Sequence, residues 1–311
     1  MHPAYSVIFF TSASGGGYGL LFWLGLLGAG SYLPTNRWFA VFAFTFALLM
    51  VSAGLVASTF HLGRPERAWR AFSQWRSSWL SREGVMSLVT YMPAGLMAIV
   101  WILYERILSW VGLLLCLCTL LTILCTAMIY ASLKPIRRWR HPLTPVGYLM
   151  IGLGSGALWL SCFTRLFDGG LPCAWIAFGM LLVGAAVKLL YWQDIDHERP
   201  VSTAATATGL GDPGKVRLFA APHTSENYLQ REMAFQIGRK HAGKLRRWSL
   251  VAGFLVPALL ALLSRFLPTG PAMLVLLLAV ISNGIGVLVE RWLFFAEARH
   301  TVTLYYGADA A

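Results

Sequence analysis

The sequence predicts an all-α integral membrane protein with eight transmembrane helices and both termini in the cytoplasm. The first observation behind this prediction is composition: of 311 residues, 57% are hydrophobic and 12% are charged. A soluble globular chain carries about 25% charged residues, so this chain has roughly half the usual charge. The second and third observations are the lengths of the apolar runs and the distribution of basic residues among the loops.

Eight apolar runs are long enough to cross the roughly 30 Å hydrocarbon layer, which takes about 20 helical residues. They are residues 4–29, 37–60, 84–104, 108–132, 144–166, 172–193, 248–267 and 271–293. Runs of this length predict helices, because a helix satisfies its own backbone hydrogen bonds in lipid. The apolar content excludes disordered and nucleic-acid-binding classes. We expect a single membrane domain over residues 1–311.

The basic residues lie mostly in loops on one side of the predicted membrane. Twenty Lys and Arg residues lie in the loops 61–83, 133–143 and 194–247 or near the C-terminus, and four lie on the opposite side. Cytoplasmic loops carry an excess of Lys and Arg, so this side is predicted to be cytoplasmic. Because the opposite connections are short, we expect partner proteins to dock on the loops 133–143 and 194–247, where residues 226–241 have the spacing of a surface helix.

Glycines at four-residue spacing within two spans predict close contact between helices. Gly15 and Gly19 lie in the first span, and Gly152 and Gly156 lie in the fifth. Small residues at this spacing allow helix backbones to approach closely in a membrane. No Lys-Ser or Lys-Thr follows the first pair, so a phosphate-binding loop is not predicted there.

The densest polar segment is 58–84, where one span ends and the next begins. It contains His61 and Glu83 at the two predicted membrane boundaries, with tryptophans between them that suit the headgroup layer. An imidazole and a partly buried carboxyl group beside an apolar phase could exchange protons with a lipid-soluble molecule such as a quinone. The alternative is a basic interfacial loop that binds anionic lipid, with Glu83 at a helix start.

No haem or metal site is predicted. None of the seven histidines lies in the middle of a span, whereas membrane b-type haem normally takes its axial His ligands from span interiors. The five cysteines have no CxxC pair and are predicted to be buried, unpaired thiols. They are Cys116, Cys118, Cys125, Cys162 and Cys173.

Ionisable residues inside the spans, the usual mark of an ion path, are also scarce. Lys188 is predicted to extend its ammonium group towards the interface. Glu290 and Arg291 are predicted to form an interfacial pair at a helix end. A pump or an ion-coupled transporter is therefore disfavoured.

The polar segment also carries a family resemblance. The stretch STFHLGRPERAWRA at residues 58–71 and the stretch SWLSREG at 78–84 resemble the signature of the anchor subunits of dimethyl sulfoxide reductase-type complexes. The opening residues 1–10 and the run 231–247 are more similar to one branch of that family, the membrane subunits of cytoplasmically oriented sulfite dehydrogenases. The eight-span layout agrees with the resemblance.

The resemblance implies a haem-free, quinone-binding subunit in a bacterial inner membrane. It implies two partners on the cytoplasmic face, an iron–sulfur subunit and a catalytic subunit that holds molybdopterin. The residues that match positions implicated in quinone binding and proton transfer are His61, Arg64, Arg67 and Glu83. Further candidates for the pocket lining are Gly15, Tyr18, Trp69 and Arg82.

By this interpretation the chain has no catalytic centre or metal of its own and passes electrons between the iron–sulfur subunit and ubiquinone or menaquinone. The branch similarity favours sulfite oxidation with quinone reduction. Two alternatives stay open. One is a quinol-oxidising anchor of a dimethyl sulfoxide, tetrathionate or polysulfide reductase, which has the same fold. The other is a small-molecule transporter, which would require functional polar residues in mid-membrane.

Overall fold

The computed structural model describes residues 3–60, 62–167, 173–197, 202–210, 216, 219–220, 241–306 and 308. Within these ranges eight helices are long and apolar enough to span a membrane, as predicted. They are α1 (Tyr5–Ala29), α2 (Arg37–Thr59), α3 (Trp79–Tyr104), α4 (Ser109–Ala131), α5 (Leu143–Leu166), α6 (Cys173–His197), α7 (Ala242–Phe266) and α8 (Thr269–Ala296). Shorter helical segments cover Pro65–Gln74, Ala204–Thr208 and Thr301–Tyr306. The predicted surface helix at 226–241 lies outside the described residues, apart from His241.

Two helices begin five or six residues earlier than the apolar runs suggested. Helix α3 begins at residue 79 rather than 84, and α7 begins at 242 rather than 248. In α3 the Arg82 guanidinium turns back to donate to the carbonyls of Trp75 and Arg76. In α7 the Arg246 guanidinium pairs with Asp196 and Glu297. Because both charges find partners at the ends of the bundle, neither one ends its helix.

Helix α1 is central, with α2, α4, α5 and α8 packed around it. It crosses α5 at the predicted glycines. A Cβ atom on Gly19 would lie 1.9 Å from the Gly152 carbonyl oxygen, and one on Gly156 would lie 2.1 Å from the Gly19 carbonyl carbon. The two backbones are therefore in direct contact, which confirms the predicted close approach.

Helix α8 contacts α7 at an irregular turn inside α7. The segment Val251–Leu255 is π-helical, and Pro257 follows it. Proline has no N–H, so the carbonyl of Gly253, four residues earlier, loses its helical donor. The Asn283 side chain of α8 donates to that carbonyl at 2.7 Å, and Ser155 of α5 donates to the Asn283 amide oxygen at 2.8 Å.

The loop between α4 and α5 packs closely against the end of α8. The Trp139 indole is buried and donates to the Phe294 carbonyl at 2.8 Å. Arg138 donates to the Glu297 carbonyl at 3.1 Å, and the Thr301 amide donates to Pro135 at 3.1 Å. The α4–α5 loop and the segment after α8 therefore lie on the same face of the bundle.

The five cysteines are buried and unpaired, as predicted. Each lies in a helix, on α4, α5 or α6.

Candidate functional site

Glu83 lies inside the helix bundle, in the second turn of α3. The prediction placed it at the membrane boundary, but its side chain is buried with 5% of the residue exposed. Helices α3 and α4 pack side by side, and the Thr126 hydroxyl of α4 donates a hydrogen bond to Glu83 Oε1. The Glu83 carboxyl group is thus buried within two helical turns of one end of the bundle. This is the face that carries the α2–α3 and α4–α5 loops.

Hydroxyl groups from α1 and α3 continue this polar region. Ser87 lies one turn after Glu83 on α3, and the Tyr18 hydroxyl of α1 approaches it. Both oxygens are buried, and neither completes a hydrogen bond within the described residues. Further along α3, Tyr91 and Ser52 of α2 share a hydrogen bond of 2.6 Å between their hydroxyls. Glu83 therefore has two buried hydroxyl groups nearby that are free to bind another polar atom.

A small cavity lies between α1, α4, α5 and α8, next to Glu83. The space that the centre of a water molecule can occupy there is about 10 Å³. The cavity therefore has room for about one water. Thr126, the hydrogen-bond partner of Glu83, is part of its wall. The lining residues are Thr11, Ser14, Gly15, Tyr18, Ile123, Thr126, Tyr148, Ile151, Gly152 and Arg291.

Three ionisable side chains meet in the core beyond this cavity. Lys188 of α6 lies 2.6 Å from Glu290 Oε1, and Arg291 Nε lies 2.5 Å from Glu290 Oε2. The exposed fractions are 4% for Lys188, 1% for Glu290 and 2% for Arg291. The prediction that Lys188 extends to the interface was therefore wrong; the predicted Glu290–Arg291 pair is present, but it is buried in the bundle. We call these three residues the ion cluster.

The ion cluster was missed because its members are far apart in the chain. Lys188 lies in the sixth predicted span, and Glu290 lies in the eighth. Their long side chains could reach water if the helix ends were isolated, but α5, α7 and α8 pack around them. The available signal was that two spans contained opposite charges, each of which would need a partner in the membrane.

The structure brings some of the predicted site residues together and separates others. Gly15 and Tyr18 line the cavity whose wall includes the partner of Glu83. Arg64, Arg67, Trp69 and Arg82 lie instead on or beside the exposed 3₁₀ segment. His61, one residue beyond the cap of α2, lies outside the described residues.

The 3₁₀ segment Pro65–Gln74 is attached to the start of α3. The Ser81 hydroxyl donates to the Ala71 carbonyl. The Phe72 ring packs on Gly84, where an added Cβ atom would lie 2.9 Å from the ring. Trp69 and Trp75 stay largely exposed, beside the guanidinium groups of Arg70 and Arg76. The segment therefore covers the end of α3 next to Glu83 and presents a basic, aromatic surface.

This fold and this site define a class: a multi-pass helical membrane protein with a buried carboxyl group and a buried ion cluster. The chain belongs to the family described as DMSO reductase anchor subunit (DmsC), whose model matches residues 1–307. Among curated proteins it is similar to a subunit of the sulfite dehydrogenase of Allochromatium vinosum. The two are 34% identical over 330 aligned positions that cover 100% of both chains.

Proposed function

We propose that this chain is the membrane anchor and quinone-reactive subunit of a molybdenum and iron–sulfur oxidoreductase that oxidises sulfite. Membership of the anchor-subunit family supports the anchoring role. The name of the Allochromatium relative supports sulfite as the substrate of the complex. In this proposal electrons reach the quinone pool from an iron–sulfur subunit, which receives them from a molybdopterin subunit.

The observation that carries the quinone role is the burial of Glu83 beside unpartnered hydroxyl groups. A quinone accepts two electrons and two protons when it is reduced, and its carbonyl oxygens accept hydrogen bonds. The Tyr18 and Ser87 hydroxyls are buried donors without acceptors in the described residues, so they fit such an oxygen. The Glu83 carboxyl group can hold the proton that the reaction needs.

The surface that suits the partner subunits is the loop-bearing face. Lys134 and Arg140 are exposed there, on a loop that Trp139 fixes to α8. Fixed charges on a rigid loop favour rapid and oriented association with an acidic partner. We place this face in the cytoplasm of the bacterium because it carries most of the basic residues.

The complex can be tested by mild detergent purification of the tagged chain from its native membranes. We expect two soluble subunits, molybdenum and abundant iron to co-purify, and sulfite to reduce a water-soluble quinone analogue. Reduction of dimethyl sulfoxide, tetrathionate or polysulfide by added quinol, without sulfite oxidation, would instead identify a reductase. A chain that purifies alone and metal-free would contradict the anchor role.

The role of Glu83 is tested by comparing Glu83→Gln with Glu66→Gln in the intact complex. Glu66 is an exposed carboxylate of the 3₁₀ segment and serves as the control. Loss of a proton-transferring group typically lowers a rate by about 10²–10⁴-fold. We expect this loss of quinone reduction for Glu83→Gln only, with normal assembly and normal sulfite-dependent reduction of the iron–sulfur clusters. Normal quinone turnover in Glu83→Gln would exclude the assigned role.

The ion cluster is the kind of feature that the transporter alternative requires. However, its three members pair with one another in the core, so the cluster is accounted for as a structural link between α6 and α8. The cluster therefore does not by itself call for solute transport. Solute uptake by vesicles that contain the purified chain alone would support the transporter.

A further inference from the structure

The cavity next to Glu83 has donors on its wall with no acceptor in the described part of the chain. The hydroxyls of Tyr18 and Tyr148 and the Nη1 atom of Arg291 are buried without hydrogen-bond partners there. The Arg291 guanidinium lies over the Tyr148 ring, with Cζ 4.0 Å from the ring centroid. Buried polar groups normally have partners, and a buried donor left without an acceptor destabilises the fold.

We propose that this cavity binds one ordered water molecule, and that Glu83 regains its proton from this water through the Thr126 hydroxyl. The volume suits one water, and a buried water typically makes about three hydrogen bonds. The inference rests on the proposed role of Glu83 in quinone reduction, but it concerns the side of Glu83 that faces the ion cluster.

The direction of hydrogen bonding follows from the groups present. Arginine donates and never accepts, so the water oxygen accepts from Arg291 and its own protons point away. A hydroxyl group has one proton and two lone pairs, so Thr126 can donate to Glu83 while it accepts from the water. The resulting order is Arg291, water, Thr126 and Glu83.

Arg291 is held in place for this role by the ion cluster. Its Nε lies 2.5 Å from Glu290, which also binds Lys188 at 2.6 Å. Since arginine stays charged at all ordinary pH values, it fixes the water without exchanging the proton itself. Arg291 is therefore a positioning residue, and Thr126 carries the proton.

The transfer balances in protons. When Glu83 gives a proton to a quinone oxygen, Thr126 passes its hydroxyl proton to the carboxylate and takes one from the water. The water in turn is reprotonated by exchange with bulk water, which is the source of the protons. Two such transfers accompany each two-electron reduction, and Thr126 and the water end unchanged.

The test compares Thr126→Val with Thr122→Val in the intact complex. Both changes remove one buried hydroxyl of α4 and keep the shape of the side chain. Thr122 donates to the Cys118 carbonyl at 2.8 Å and is not part of the cavity wall. We expect Thr126→Val to lower the rate of sulfite-driven quinone reduction at least about tenfold. The solvent deuterium isotope effect on that rate should increase. The iron–sulfur clusters should still become reduced by sulfite. Thr122→Val should keep the wild-type rate and isotope effect.

A structural measurement gives an independent readout. A cryo-EM map of the holo-complex that resolves ordered water should show density between Arg291 Nη1 and Thr126 Oγ1. A dry cavity, or equal rates for the two threonine variants, would overturn the proposal. If Glu83→Gln lowers quinone reduction but Thr126→Val does not, only this inference fails. If neither does, the proposed role of Glu83 fails as well.

Discussion

Lys188 of α6 and Glu290 of α8 form a buried ion pair of 2.6 Å between residues 102 positions apart in the sequence. Arg291 binds the other carboxylate oxygen, so one buried anion lies between two buried cations. Burial of charge is costly unless each charge has a partner. The pair therefore links α6 to α8. The loss of stability on breaking it depends strongly on which residue is replaced.

Glu290→Gln should destabilise the protein far more than Lys188→Met. The glutamine leaves Lys188 and Arg291 as two unneutralised cations in the core, and breaking a buried pair this way costs about 3–5 kcal/mol. The methionine leaves the Glu290–Arg291 pair neutral, so its effect should be smaller. Thermal unfolding in detergent measures both variants.

The control for these variants is Arg37→Gln, which breaks a pair at the surface. Arg37 and Glu105 lie 2.9 Å apart with about half of each side chain exposed. Such pairs contribute about 0–1 kcal/mol. An unfolding temperature for Glu290→Gln no lower than that of Arg37→Gln would show that the ion cluster is not a structural requirement.

The number of membrane-spanning helices could be predicted because each span is a long apolar run, which can be recognised without knowledge of the rest of the fold. The starts of α3 and α7 could not, since Arg82 pairs with carbonyls of the turn before α3 and Arg246 pairs with Asp196 and Glu297 of distant segments. The close contact of α1 and α5 was predictable from glycine spacing alone. Composition and spacing thus determine which segments are helices, and the pairing of charged side chains determines where these two helices begin.

The candidate site was predicted only in part. Glu83 was identified from its motif, but its partner Thr126 is an ordinary residue of an apolar helix and gave no signal. The role of Arg291 depends on the packing of α8 against α1 and α5, which no local pattern reveals. Tyr18 and Gly15 line the same cavity, because one turn of α1 carries both; that they line a quinone pocket stays a prediction.

Asn283→Leu should destabilise the α7–α8 pair by about 1–3 kcal/mol, the cost of an unsatisfied buried carbonyl. The carbonyl in question belongs to Gly253 and lacks a helical donor because of Pro257. Pro257→Ala supplies a backbone N–H, so Asn283→Leu should cost less in that background. Unfolding of the two single variants and the double variant measures the coupling, and equal costs in both backgrounds would refute this explanation.

Gly156→Ala should prevent normal packing of α1 against α5. The added methyl group would lie 2.3 Å from the Leu20 amide nitrogen, a backbone atom that cannot turn aside. Gly147→Ala on the same helix is the matched control, since no atom lies within 4 Å of its added methyl group. We expect little folded protein for Gly156→Ala in size-exclusion chromatography and a normal yield for Gly147→Ala, where alanine also favours the helix. Equal yields would mean that the two helices can separate without loss of the fold.

Neutralising Lys134 and Arg140 together should weaken binding of the partner subunits and make it more sensitive to salt. Both residues are exposed on the α4–α5 loop, and changes of rim charges mainly alter association rates and salt dependence. Arg37→Gln with Arg106→Gln removes the same charge from the opposite face and is the control. Co-purification of the complex at increasing ionic strength should show earlier dissociation for the first double variant only. Because Trp139 holds the loop on α8 in both cases, such a difference would come from charge rather than from loop structure. Equal salt profiles for the two double variants would place the docking surface elsewhere on the chain.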